Sequence, residues 1–295
     1  MAVNYGRQDI FGDIGCVTIM EENYPPLLRE IKDPPKILYY IGDLSLALDI
    51  CISVVGTRKP TSYGRWAAGA LGKTLAQAGV ITVSGLADGV DTLAHKGAIK
   101  GQGKTIAVLG NGPDICFPAK NLEIMKYIGK DGLILSEYAP GVHGSRFTFP
   151  SRNRIISGLS LATVIVEAGL SSGSLITAER AIEQGREVYA IPGNINNIYS
   201  IGTNKLILDG AKPLIVLENI LEDLGIKKGL IDSRKEALGE EERKVFNYIE
   251  SGGETSVDQL VESLQIQAGT LNGIVTVLEM KGMVSTSMGK IFVAN

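Results

Sequence analysis

The sequence predicts an α/β chain, with an extended, Rossmann-like, doubly wound and mostly parallel sheet followed by a small C-terminal winged-helix domain. Three observations predict it. Short runs that are apolar throughout alternate with stretches of helical spacing, the pattern of a parallel sheet covered on both faces. Most of these runs empty into loops of Gly, Ser, Asn or Arg. Beyond residue 238 the pattern changes to three short amphipathic helices and a hairpin.

In chain order, residues 1–45 form a lead-in that docks on the main body. YPPLLREIKDPPKILYYIG pairs prolines with short apolar pieces, which reads as a small helix and an extended strand. Residues 46–225 form the main domain. Its strands are read at CISVVG, ITVSGL, TIAVLG, LILSEY, ATVIVEA, EVYAIPG and KPLIV, with helices such as GRWAAGALGKTLAQAG and SLITAERAIEQG between them. A charged linker is expected at 226–238. In the winged-helix domain at 239–295, EERKVFNYIESGG, VDQLVESL and AGTLNGIVTVLEMKG supply the helices, and MVSTSMGKIFVAN supplies a wing turning at Met288 and Gly289.

With 295 residues, 44% of them hydrophobic, the chain can bury a full core. The net charge of −3 is unevenly distributed. Residues 236–295 hold nine acidic and four basic side chains, a net of −5, so the remainder carries +2 and can present a local basic patch. Three widely spaced cysteines suit a reducing compartment, and the N-terminus lacks a basic stretch followed by an apolar one. A soluble, cytoplasmic protein is expected, without membrane insertion, metal or cofactor.

The loops carry the functional signal. In GTRKPTSYG, Gly56 ends a strand, Thr61 or Ser62 can cap the next helix, and Arg58 stands beside the freed amides, an arrangement that favours an anion. FPSRNRIISGLS places Arg152, Asn153 and Arg154 at the expected opening of a helix, where two arginines can clamp a phosphate. The alternative for either arginine is an ion pair with Glu137 or Glu167. Phe147 and Phe149 precede them and either pack or stack on bases. SSGSLITAE offers Ser172, Gly173 and Ser174 as a phosphate nest or as a plain helix cap, and IGTNKLI repeats the design with Gly202, Asn204 and Lys205.

Other patterns fail on inspection. A dinucleotide fingerprint needs glycine at 58 and 61, where Arg58 and Thr61 stand. GALGKT and GQGKT end like a P-loop, but one lies within a helix and the other precedes a strand. Asp91 and His95 share a helix face and would serve as a base only with a nucleophile to act on, and none is placed beside them. In the tail, AGTLNGIVTVLEMKG carries only Lys281 at its far end, so this module is expected to contact protein or pack on its own domain rather than read a major groove.

Taken in order, GTRKPTSYG, SGLADGVDTLAH, TIAVLGNGPDICFPAKN, SEYAPG, FPSRNRIISGLS, EAGLSSGSLITAERAIEQGREVYAIPG and SIGTNKLILDGA resemble the DNA-processing protein A family, also called DprA or Smf, from about Tyr24 to Val216. Thr57 replaces the family's usual serine, and Gly141 replaces a proline. The resemblance implies a protein of natural transformation that binds and protects incoming single-stranded DNA and loads the RecA recombinase on it. It also implies a homodimer without catalytic turnover. Its DNA pocket would comprise Gly56, Arg58 and Ser62, with Arg152 and Asn153, Ser172, Gly173 and Ser174, and Lys205. The competing reading is a nucleotide-processing phosphoribohydrolase, of whose motif SSGSLITAE keeps only Gly173 and Glu179.

Overall fold

The computed structural model describes residues 12–226, 238–252, 254–281, 283–287 and 289–293. The chain divides into two units, Met1–Lys228 and Gly229–Asn295. Each has its own apolar core: no residue of the cluster around Val245, Phe246 and Leu278 belongs to the clusters of the first unit.

The first unit is built on one nine-stranded sheet, with strands β1 (Gly15–Thr18), β2 (Ile37–Gly42), β3 (Cys51–Val55), β4 (Ile81–Ser84), β5 (Thr105–Leu109), β6 (Leu133–Ser136), β7 (Ala162–Ile165), β8 (Glu187–Ala190) and β9 (Lys212–Pro213). All seven strands expected in the main domain are present. Their order is β1-β2-β6-β5-β4-β3-β7-β8-β9, parallel from β6 to β9, with β2 antiparallel to β6 and β1 antiparallel to β2. The lead-in thus contributes two strands where one was expected. β1 has no long apolar run of its own and is held by pairing with the more apolar β2. β3, β4, β5, β6 and β7 are buried at every residue, which explains why these strands do not alternate.

Helices cover both faces. α1 (Pro26–Arg29), α5 (Thr148–Gly158) and α6 (Gly173–Glu183) pack on one, where Leu28, Ile155, Ile156 and Ala178 join a single cluster. α2 (Ser62–Gln77), α3 (Val90–Lys100) and α8 (Asn219–Asp223) cover the other through Leu71, Leu75, Ala94 and Leu221, and α4 (Leu122–Asp131) extends this layer through Met125 and Ile128. α7 (Ile201–Leu208) links β8 to β9. α2 and α3 approach closely because they meet through glycine: a Cβ on Gly72 would stand 2.3 Å from the Ala94 carbonyl oxygen.

The chain runs outward from β3 through β4 and β5 to β6, then returns to the far side of β3 as β7, β8 and β9. The switch point therefore lies between β3 and β7, and the crevice that such sheets offer to ligands opens beyond the carboxyl ends of these strands.

The second unit holds α9 (Glu240–Gly252), α10 (Val257–Leu264), α11 (Ala268–Met280) and a small sheet of β10 (Glu254–Ser256), β11 (Val284–Ser287) and β12 (Lys290–Val293) in the order β10-β12-β11. This is a winged helix. Ser256 and Gln259 form a capping box that starts α10, and β10 adds a third strand to the expected hairpin. Met288, one of the two expected turn residues, lies outside the described residues, as do residues 227–237 of the expected linker.

Candidate nucleic-acid interface

The turn after β3 is fastened to its neighbours by backbone bonds. The Thr57 N–H donates to the Glu167 carbonyl at 2.7 Å, and the Thr57 carbonyl accepts from the Val90 N–H at 3.2 Å. Glycines make this closeness possible. A Cβ on Gly56 would meet Val90 at 2.7 Å, and Gly89, at φ 80°, would meet the Thr57 carbonyl oxygen at 2.4 Å. Arg58 and Lys59 are held outward at the mouth of the crevice, both exposed, and neither forms an ion pair among the described residues.

Thr61, rather than Ser62, caps α2: its hydroxyl oxygen accepts from the Gly64 N–H at 3.1 Å. The charge beside that helix entrance comes from the protein. Glu167, only 1% exposed, accepts from the Thr61 N–H at 2.9 Å and from the Thr61 hydroxyl at 2.5 Å. A buried carboxylate at a helix N-terminus interacts favourably with the dipole and occupies the place an external anion would take. The expectation of outward-facing amides at Gly56 to Ser62 is corrected accordingly. Ser62 is exposed at the start of the helix, and the free charge is that of Arg58 and Lys59.

The arginine pair is corrected as well. α5 begins at Thr148, so Arg152, Asn153 and Arg154 lie a full turn inside it, away from unsatisfied amides. Ser145 serves the true entrance through its hydroxyl, which accepts from the N–H groups of Phe147 and Thr148. Arg152 is 5% exposed, and its Nη1 donates to the carbonyls of Gly85 and Val108, tying the ends of β4 and β5. Burial pulls its pKa down to about 10, opposed by Asp91. Arg154 is spent on a two-pronged pair with Glu137, at 3.1 and 2.7 Å, and on Asp33 at 3.3 Å. Neither side chain is a solvent-facing phosphate clamp. Glu167, the other partner weighed for them, binds Thr61.

Asn153 joins two of the expected loops, its amide donating to the Gly173 carbonyl at 3.3 Å. Ser172 caps α6, its hydroxyl accepting from the Ser174 N–H at 3.4 Å and lying 2.8 Å from the Ser174 hydroxyl. Gly173 is exposed with open space where a Cβ would be, so this helix entrance remains open to solvent. At α7 the Gly202 N–H donates to the Ala168 carbonyl at 2.8 Å, and Lys205 pairs along the helix with Asp209 at 2.9 Å. Lys205 is exposed and shares its charge with the carboxylate one turn on.

Asp91 and His95 do not form a base. The Asp91 carboxylate accepts from the Gly85 N–H at 3.1 Å, while the fully buried His95 lies 2.7 Å from the Thr105 hydroxyl. That hydroxyl donates to the Thr82 carbonyl, so it accepts from His95 Nδ1–H. Burial pushes the His95 pKa down to about 3.

Beyond β5 and β6 stands an aromatic group that the sequence marked only in part. Phe147 is 70% exposed with the Arg146 guanidinium 4.7 Å above its ring, and Phe149 stacks on Phe117 at 5.2 Å. The crevice mouth thus combines free cations on the β3 turn, an open helix entrance at Gly173 and exposed rings, which are the elements of a surface that holds a phosphate backbone and its bases.

Fold and site together define a doubly wound α/β protein with a basic, aromatic crevice and an appended winged helix. Residues 15–225 match the family described as DNA recombination-mediator protein A, and residues 232–290 match the DprA winged helix domain. The chain belongs to the DprA family. It is 42% identical over 212 residues to the DNA processing protein DprA of Bacillus subtilis, covering 72% of this chain and 71% of that one. With DprA of Streptococcus pneumoniae it shares 45% identity over 206 residues, 70% of this chain and 73% of the relative. The X-ray structure of the pneumococcal protein superposes with a TM-score of 0.69 at 42% identity, covering 72% of this chain and 75% of that chain. DNA processing protein A of Helicobacter pylori, whose structure concerns its mode of single-stranded DNA binding, gives 0.67 at 32% identity over 73% of this chain and 97% of that chain.

Proposed function

We propose that this protein binds single-stranded DNA across the carboxyl ends of its central strands and acts as a recombination mediator, without transforming its ligand. The observation that carries the reading is the β3 turn: Arg58 and Lys59 are exposed and form no ion pair among the described residues, at the same end of the sheet as the open entrance at Gly173, in a family whose Helicobacter member has a described single-strand binding mode. Phosphate contacts supply affinity without sequence preference, and exposed Phe147 offers a face on which any base can stack. In this reading the contacts to the strand come from Arg58, Ser62, Ser172, Gly173 and Ser174, with Gly56 holding the β3 turn close to its neighbours and Asn153 positioning the last loop. Protection of incoming DNA during natural transformation, loading of RecA, homodimer formation and residence in the cytoplasm belong to the same proposal. Among the described residues no helix is long and apolar enough to cross a membrane.

Fluorescence anisotropy of labelled oligo-dT and of its duplex, at two salt concentrations, tests this. The wild-type protein should prefer the single strand. Arg58→Ala should weaken binding and flatten the salt dependence by about 0.7 in slope, the contribution of one phosphate contact. Unchanged affinity and slope in the variant would remove the β3 turn from the site.

A further inference from the structure

On the solvent side of α2, one turn from the β3 turn, Tyr63 and Trp66 stack with ring centroids 5.9 Å apart and planes at 29°. Trp66 is the chain's single tryptophan and is 61% exposed, while Tyr63 is 46% exposed. Large aromatic rings are ordinarily packed, so a stacked pair facing water marks a contact surface. The charge around it identifies what it contacts. From Ile50 through Ala87 the chain has no Asp or Glu, but it holds Arg58, Lys59, Arg65 and Lys73. Arg58, Lys59 and Arg65 are exposed and form no ion pair among the described residues.

The pair is also continuous with the crevice. The Tyr63 hydroxyl donates to the Pro192 carbonyl, just past β8, at 3.5 Å, and α2 begins directly at the β3 turn. From β5, whose loop carries Phe117, to β8, where Tyr63 reaches the sheet, lie four strand intervals, or about 19 Å at the usual spacing. Exposed rings therefore stand at both ends of the cationic β3 turn.

We propose that Tyr63 and Trp66 form a second base-stacking step for single-stranded nucleic acid, at which the strand leaves the crevice across α2 with its phosphates on Arg65 and Lys59. This rests on the single-strand reading above and adds a subsite to it. Aromatic rings beside free cations fit bases joined by phosphates, whereas a purely apolar partner would leave the cations unmatched.

Because Trp66 is the only tryptophan, indole emission of the full chain reports on this subsite alone. Unlabelled oligo-dT should quench that emission in step with the anisotropy of a labelled strand. Trp66→Ala should weaken binding roughly tenfold, the size of one lost base stack, and Trp66→Phe should recover most of it. An abasic strand should bind wild type and Trp66→Ala alike. Normal anisotropy with unchanged emission, and full affinity in Trp66→Ala, would overturn the subsite and leave the single-strand reading standing. Anisotropy that never rises would overturn both. Loss of self-association in Trp66→Ala, with strand affinity intact, would reassign the pair to a protein contact and overturn the proposal.

Discussion

Residue scale separates cations that hold the fold from cations left for a ligand. Arg152 donates to two carbonyls at strand ends and compensates the buried Asp91. Its truncation strands a buried carboxylate and two acceptors, so Arg152→Ala should cost about 3 kcal/mol or more, visible as a lower midpoint in urea. Any loss of DNA affinity in that variant would report on folding rather than on a phosphate contact. Arg58→Ala, at an exposed position that forms no ion pair among the described residues, should change the unfolding free energy by no more than about 0.5 kcal/mol. His95 makes a second prediction. Its native pKa of about 3 lies below the ordinary value of 6.5, so its contribution to stability is complete above pH 6.5 and declines as pH falls toward 3, by up to about 1.4 kcal/mol per unit. The buried Asp91, pushed upward by burial, acts in the opposite sense. The measurement is therefore the difference between wild type and His95→Gln in urea unfolding at pH 7 and pH 5, with wild type losing more.

At the scale of elements, the contact between α2 and α3 shows how glycine sets a packing distance. Gly72 has no room for a Cβ beside the Ala94 carbonyl, whereas a Cβ on Gly69 would meet nothing within 4 Å. Gly72→Ala should force the helices apart and destabilise by about 1–3 kcal/mol, more than the roughly 1 kcal/mol of helix propensity it adds. Gly69→Ala gains the same propensity without the clash. Thermal unfolding of the two variants should therefore move in opposite directions, although the positions are three residues apart in one helix. These helices were legible in the sequence from apolar spacing, but the distinction between the two glycines was not, because it depends on a carbonyl from another element.

For the molecule as a whole, the two units have separate cores and opposite charge balance. The tail carries −5 within residues 236–295. Lys281, at the end of α11, is paired with Glu242 at 2.6 Å, and Lys290 with Glu254, so these cations are not free to meet a DNA backbone. Removal of residues 236–295 should leave oligo-dT affinity intact, or slightly improved at low salt, when measured by anisotropy. A large loss would transfer part of the strand-binding surface to the winged helix.

The sequence by itself determined the elements of this protein. Seven mostly apolar strand runs, their helices and the winged-helix tail follow from side-chain pattern and turn residues, which act over a few positions. The ordered motifs were enough to point to the family. Tertiary structure alone decided which charges remain available. Glu167 reaches Thr61 from 106 residues away, and Arg154 meets Asp33 from 121 residues away. Both contacts fill places that local spacing had left for a phosphate. The exposed pair Tyr63 and Trp66 escaped notice for the same reason: helical periodicity shows which face of α2 is apolar, but only packing shows which rings stay uncovered. Local pattern specifies what each segment becomes, whereas the pairing of a buried charge depends on neighbours brought close by the fold.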